Sequence, residues 1–176
     1  MRLKLIPHPA TPPKAVLAVD ADICGCRDEE MVITFNVVGG PVVWPDLVSP
    51  AREDGLWETT CFELFLKPVD GDSYFEFNFS PSTAWAAYQF EAYRDRRRDF
   101  HQCFDPFLTN LAPSGLLEVV FDMEELPAGR LRMGVCAVIE ETGGRKSYWA
   151  LAHPPGDPDF HHPDCFQIEL PAAKPA

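Results

Sequence analysis

From Cys61 to Ser80 the chain alternates with a period of two, and this limits the fold more than any other feature. In Cys61 to Lys67, Phe62, Leu64 and Leu66 point one way while Cys61, Glu63 and Phe65 point the other, because successive side chains of an extended strand leave it on opposite sides. Turn formers fill Pro68 to Ser73. Beyond them Phe75, Phe77 and Phe79 share one face of a second strand, with Tyr74, Glu76, Asn78 and Ser80 on the other. The two stretches read as a hairpin whose phenylalanines and leucines face a core. An ionised carboxylate is rarely buried without a partner, so Glu63, Glu76 and Asn78 are expected together on the opposite, outer face.

The same period recurs along the chain. Met31, Ile33, Phe35 and Val37 alternate with Val32, Thr34 and Asn36 until Gly39-Gly40-Pro41 stops the run. Trp85 to Tyr93 places Trp85, Ala87, Gln89, Glu91 and Tyr93 on one side; its alanines also admit a helix, but its aromatic content and β-rich surroundings favour a strand. Further strands are expected at Leu116 to Phe121, Leu131 to Ile139, Ser147 to Leu151 and Cys165 to Leu170, and a helical turn at Met123 to Leu126. Little repeats at 3.6 residues. Strands at this spacing close best as two packed sheets, since both apolar faces must be covered. The expected fold is all-β, a jelly-roll-like antiparallel β-sandwich. With 176 residues, 46% of them hydrophobic, the chain can bury one such core. One domain over 1–176 is expected, with a frayed tail at 172–176.

A net charge of -12 and a pI near 4.7 argue against nucleic acid and anionic membranes as partners. The basic run Arg96-Arg97-Arg98 is flanked by Asp95 and Asp99 and reads as a solvated loop. Met1 to Pro13 lacks the apolar stretch of a secretory signal, and no segment approaches a membrane span. A cytoplasmic location is therefore expected, with Cys24, Cys26, Cys61, Cys103, Cys136 and Cys165 reduced and buried. In that setting the sequon at Asn78-Phe79-Ser80 carries no weight. His161 and His162 are adjacent and diverge, so no metal site is assigned to them.

A sheet face bearing Glu63, Glu76 and Asn78 beside aromatic rings suits a saccharide or similar polyol. Its hydroxyls need directional acceptors and donors, and its C–H faces stack on rings. An ordinary solvated face with cross-strand polar pairs is the alternative. Trp57 follows Gly55 and Leu56 at the start of the Cys61 strand, where it is either a lid on the core or a stacking platform. Trp149 is assigned to the core and Met31 and Met133 likewise, which weakens a haem-binding reading, since axial ligation needs a Met or His at a site mouth. The motifs G-x-S-x-G and H-E-x-x-H and the P-loop are absent. Glu63 and Glu76 as the acid/base pair of a glycosidase, whose carboxyls stand about 5 to 9.5 Å apart, is one alternative function. A protein-interaction or scaffold domain is the other, because exposed Trp and Tyr also mark protein hot spots.

Trp57-Glu58-Thr59-Thr60-Cys61-Phe62-Glu63-Leu64-Phe65-Leu66 resembles the W-x-x-D-x-V-E-[IV]-F-[IL] strand of family 9 carbohydrate-binding modules and their DOMON-like relatives. Phe75-Glu76-Phe77-Asn78-Phe79-Ser80-Pro81 is similar to the F-x-x-N-x-x-P strand that follows it there, and Phe160-His161-His162-Pro163-Asp164-Cys165-Phe166 is similar to the terminal F-H-x-P-x-x-F-G motif. The resemblance implies a sandwich with a ligand site on a concave face, where two rings clamp a terminal saccharide. It implies Trp57 and Phe160 as the rings and Glu63, Glu76 and Asn78 as polar contacts, and Trp85, Tyr93 and Arg94 complete the expected ligand-binding set. A groove filled by Tyr93 or Arg94 would favour the scaffold reading instead. Thr60 replaces the common aspartate, Glu76 stands where arginine is often found, Gln167 replaces glycine, and Phe160 is a smaller platform than tryptophan. Members of the superfamily hold a structural calcium, for which this sequence offers no assignable ligands; no other cofactor is expected. The stand-alone bacterial branch that the chain most resembles has no established ligand.

Overall fold

A computed structural model describes residues 1–25, 30–101, 106–110 and 114–173. The hairpin forms as expected: β4 (Cys61–Pro68) pairs antiparallel with β5 (Tyr74–Phe79), placing Leu66 opposite Phe75 and Phe62 opposite Phe79. β6 (Trp85–Phe90) adds beyond β5, and the two-residue β7 (Arg98–Asp99) beyond that. On the other side of β4 lie β10 (Leu131–Glu141) and β11 (Arg145–Ala150), with β12 (Ile168–Leu170) beside β10 at Leu131 to Met133.

The second sheet runs β1 (Arg2–Pro7), β2 (Val16–Cys24), β3 (Met31–Gly39), β9 (Leu116–Phe121) and β8 (Phe107–Asn110). β1 belongs to both sheets. Its first residues pair with β2, whereas Ile6 and Pro7 pair with Ala150 and Trp149 of β11. The sandwich therefore turns a corner at β1, and all pairings between named strands are antiparallel.

Parity decides what lies between the sheets. Phe62, Leu64, Leu66, Phe75, Phe77 and Phe79 all enter the main core, where they meet Ile33, Phe35, Val119 and Phe121 from the facing sheet. Phe35 stacks on Phe62 at 4.6 Å and Phe77 meets Phe121 edge-on at 4.5 Å. Each such side chain contributes roughly 1.5–3 kcal/mol by leaving water. Trp149, Met31 and Met133 are core residues as expected; the indole of Trp149 donates to the Ser147 hydroxyl at 2.9 Å. The buried Glu141 accepts the backbone N–H groups of Lys14, Ala15 and Val16, which ties the start of β2 to the end of β10.

Several sequence expectations are corrected. The N-terminal strands β1 and β2 and the short β7 and β8 were not foreseen. Only Ile168–Leu170 of the Cys165 stretch is extended, because Pro163–Cys165 forms a 3-10 turn. Met123 to Leu126 is a single hydrogen-bonded turn, closed by Leu126 N–H donating to the Met123 carbonyl at 3.2 Å. Cys61, Cys136 and Cys165 are buried free thiols, but Cys24 is exposed. Cys26, Cys103 and residues 174–176 of the tail lie outside the described residues.

The largest correction concerns the outer face of β4, β5, β6, β10 and β11. It is covered, not solvated: Cys61, Phe65, Tyr74, Tyr88, Phe90, Cys136 and Val138 form a second apolar cluster with Leu56, Phe160 and Phe166 from the connecting segments. These strands are buried on both sides.

Candidate functional site

Glu63, Glu76 and Asn78 lie side by side on this covered face, as strand parity requires. Asn78 sits directly opposite Glu63, and Glu76 is two residues before Asn78 on the same strand. All three are buried, at 4%, 6% and 0% exposure. Glu76 Oε1 accepts a hydrogen bond from Asn78 Nδ2 at 2.7 Å. The Glu63 carboxyl has no hydrogen-bond partner among the described residues, yet it lines a cavity of about 140 Å³.

Burial pushes the Glu63 carboxyl well above the usual carboxylate range, and the neighbouring Glu76 adds to the effect against the opposing charge of Arg94. Burial also raises Glu76, although the Asn78 bond and the guanidinium groups of Arg97 and Arg94 resist it. His161 approaches Glu76 with Nε2 at 3.6 Å from Oε2. Burial and the nearby Arg94 charge lower this imidazole to about 4, so at neutral pH the contact involves a neutral ring and is not an ion pair. Its Nδ1 is 2.7 Å from the Tyr74 hydroxyl, which also accepts the Arg94 backbone N–H. That hydroxyl has one proton to give. With that proton given to Nδ1, the ring's own proton sits on Nε2, on the side of Glu76.

Aromatic rings form the walls. Gly55, at φ 77, takes the left-handed conformation that opens the 3-10 turn Leu56–Glu58. Leu56 anchors that turn in the second cluster, and Lys146 Nζ donates to the Glu58 carbonyl, so Trp57 is presented half-buried at the cavity. The Arg97 guanidinium lies 6.0 Å from the Trp57 ring and 4.8 Å from that of Tyr88. The basic run is thus packed as well as solvated. Phe160, 7% exposed, and Tyr148 also line the cavity, their rings 5.9 Å apart.

The roof over β4 and β5 is the segment that follows β11. His161 and Phe166 pack edge-on against Phe65 at 5.2 and 5.8 Å. Arg94 Nη2 donates to Asp159 at 2.7 Å, and Tyr93 donates its hydroxyl to the same carboxylate. Arg94 lines the cavity, whereas Tyr93 is exposed and lines a neighbouring hollow of about 240 Å³ with Tyr74, His161 and Phe166.

Of the residues expected from the sequence, Trp57, Glu63, Glu76, Arg94 and Phe160 line one cavity. Asn78 supports Glu76 beneath it. Tyr93 stands outside, and Trp85 is a correction: its ring is buried at 6% in the core between the sheets, opposite Phe79 and facing away from Glu63. The sequence reading missed Tyr148, Val138, Pro158 and Asp159. For Tyr148 a signal existed, because a core Trp149 obliges its neighbour to face the other way. No group of three or more His, Cys, Asp or Glu suited to a metal occurs among the described residues.

No protein-family model matches the chain, and no curated protein matches it. Among solved structures, the fold is similar to that of a Bacteroides uniformis protein described as a "putative carbohydrate-binding protein", with a TM-score of 0.67 and 17% identity over 97% of this chain and 85% of that one. A family 9 carbohydrate-binding module from Caldicellulosiruptor kristjanssonii in complex with glucose aligns with a TM-score of 0.47 and 12% identity, over 82% of this chain and 71% of that one. The first likeness shows the β-sandwich fold.

Proposed function

We propose that this chain is a non-catalytic binding module that holds a saccharide or similar polyol in the cavity between Trp57 and Phe160. The observation that carries the reading is Glu63: a carboxyl 4% exposed, without a hydrogen-bond partner among the described residues, lining a cavity walled by aromatic rings. A carboxyl held this far from bulk water gains from any donor that reaches it in the cavity. A ligand hydroxyl or other donor satisfies it, while the ligand's carbon face packs on a ring. The ordered resemblance to family 9 modules and the description of the Bacteroides protein of similar fold support the same ligand class.

The glycosidase alternative has less support. Such a pair needs one carboxyl raised and the other held ionised, whereas burial raises both Glu63 and Glu76. A protein-docking face has less support too, since most of this surface is covered by the chain's own segments.

Calorimetric titration of the intact chain with a panel of mono- and disaccharides tests the reading. The expected result is binding that weakens about tenfold or more in Trp57→Ala, for loss of a stacking ring. The variant's melting temperature should stay within about 4 °C of the parent's, as befits a half-exposed ring. Absence of binding by every sugar, or an unchanged affinity in Trp57→Ala, overturns it. Turnover of a chromogenic glycoside that Glu63→Gln abolishes would establish the enzyme instead.

A further inference from the structure

The cavity presents a charge problem that a neutral sugar leaves unanswered. Glu63 and Glu76 share one buried face, and among the described residues no lysine or arginine nitrogen lies within the 4.0 Å of an ion pair to either. The nearby cations act on the pair only from a distance: Arg94, at the cavity's edge, is bonded to Asp159 at 2.7 Å, and Arg97 lies over Tyr88. Glu76 has one oxygen bonded to Asn78 and the other facing neutral His161. Glu63 has neither, and it is the carboxyl left for a ligand.

A desolvated carboxyl either keeps a proton or takes a cation. Three rings line the same cavity, Trp57, Tyr148 and Phe160, and the faces of aromatic rings attract a cation. The chain's net charge of -12 favours the approach of a positive ligand. We propose that the ligand is an amino sugar or amino polyol whose primary ammonium sits against the Glu63 carboxylate while its carbon face packs on Trp57. This rests on the saccharide-binding reading and narrows it to a class. The ammonium's three donors match what the site lacks. An N-acetyl group would bring neither the charge nor those donors.

The test is calorimetric titration of the intact chain, near neutral pH, with glucosamine, galactosamine and mannosamine, each beside its neutral parent sugar and its N-acetyl form. At least one amine is expected to bind about thirtyfold more tightly than its parent and its N-acetyl form, the lower end of what one partner of a buried charge pair is worth. In Glu63→Gln that selectivity ratio should fall to parity, whatever happens to the absolute affinities. Should near-ultraviolet circular dichroism show Glu63→Gln unfolded, Glu76→Gln is titrated in its place, and the ratio should fall there too. Parents that bind as tightly as their amines overturn the ammonium inference and leave the saccharide reading standing. A selectivity that survives in the folded variant also overturns it. If no member of the panel binds, both fall.

Discussion

Asn78 and Glu76, two positions apart on β5, are joined side chain to side chain by a 2.7 Å hydrogen bond from Nδ2 to Oε1. Asn78 is fully buried, so its amide cannot turn to water instead. Asn78→Ala leaves the Glu76 oxygen without its donor. The expected cost is about 1–3 kcal/mol, the penalty of an unsatisfied buried polar group, together with a further rise of the Glu76 carboxyl above its ordinary range. Urea denaturation measures the loss. A variant as stable as the parent would mean that this bond is not formed.

Glu63 makes stability fall as pH rises. Burial, with Glu76 beside it, raises this carboxyl well above its ordinary 4.5. The folded chain therefore keeps a proton that the unfolded chain releases above that pH, and each unit between the two values costs about 1.4 kcal/mol once both are passed. Below about pH 4 both states are protonated and no penalty exists. Glu63→Gln cannot ionise. Calorimetric melting should show it more stable than the parent at about pH 8, with the advantage shrinking toward about pH 4. An advantage independent of pH would assign the effect to packing.

His161 acts in the opposite sense. Burial and Arg94 hold its folded value at about 4 against an ordinary 6.5. Its contribution is complete above the unfolded value and is lost as pH falls toward the folded one, amounting to roughly 3 kcal/mol once pH passes below both. His161→Phe keeps a ring against Phe65 and Phe90, which His161 meets edge-on, and removes the titration. The difference in melting temperature between parent and variant should move in the variant's favour as pH is lowered from about 7 to about 4. An unchanged difference across that range would show that the imidazole titrates normally.

Strand parity was legible in the residues themselves. Phe62 to Leu66 and Phe75 to Phe79 identified the core face, and the same period brought Glu63, Glu76 and Asn78 together. What parity could not show is whether the other face meets water. That depends on where the segment from Leu151 to Gln167 returns, and this segment has turns and prolines but no period to read. Trp85 was misassigned for a related reason. Its face follows from its pairing with Phe79, which the turn between β5 and β6 sets and the alternation within Trp85 to Tyr93 does not. The N-terminal β2 escaped because Leu17 is apolar yet 77% exposed, which breaks its alternation.

Gly134 records how closely that returning segment lies on the sheet. It faces outward on β10 opposite Phe65, and a Cβ there would stand 3.0 Å from the Cys165 carbonyl oxygen and 3.4 Å from its carbon. A glycine within a strand forfeits packing and chain stiffness, and it is suited to a place where another backbone approaches. Cys165 ends the 3-10 turn five residues beyond Phe160, and its thiol donates to the Asp159 carbonyl at 3.3 Å, so the turn and the cavity wall are tied together. Gly134→Val must push this turn outward, and it should destabilise the chain by about 1–3 kcal/mol, as overpacking does. Gly134→Ala should displace it less and weaken ligand binding with a smaller change in melting temperature. Gly129, whose added Cβ would meet nothing within 4 Å, provides the control: Gly129→Ala should melt and bind like the parent. Titration and thermal melting of the three variants decide the matter, and a Gly134→Val protein indistinguishable from the control would mean that the roof is not seated on this strand.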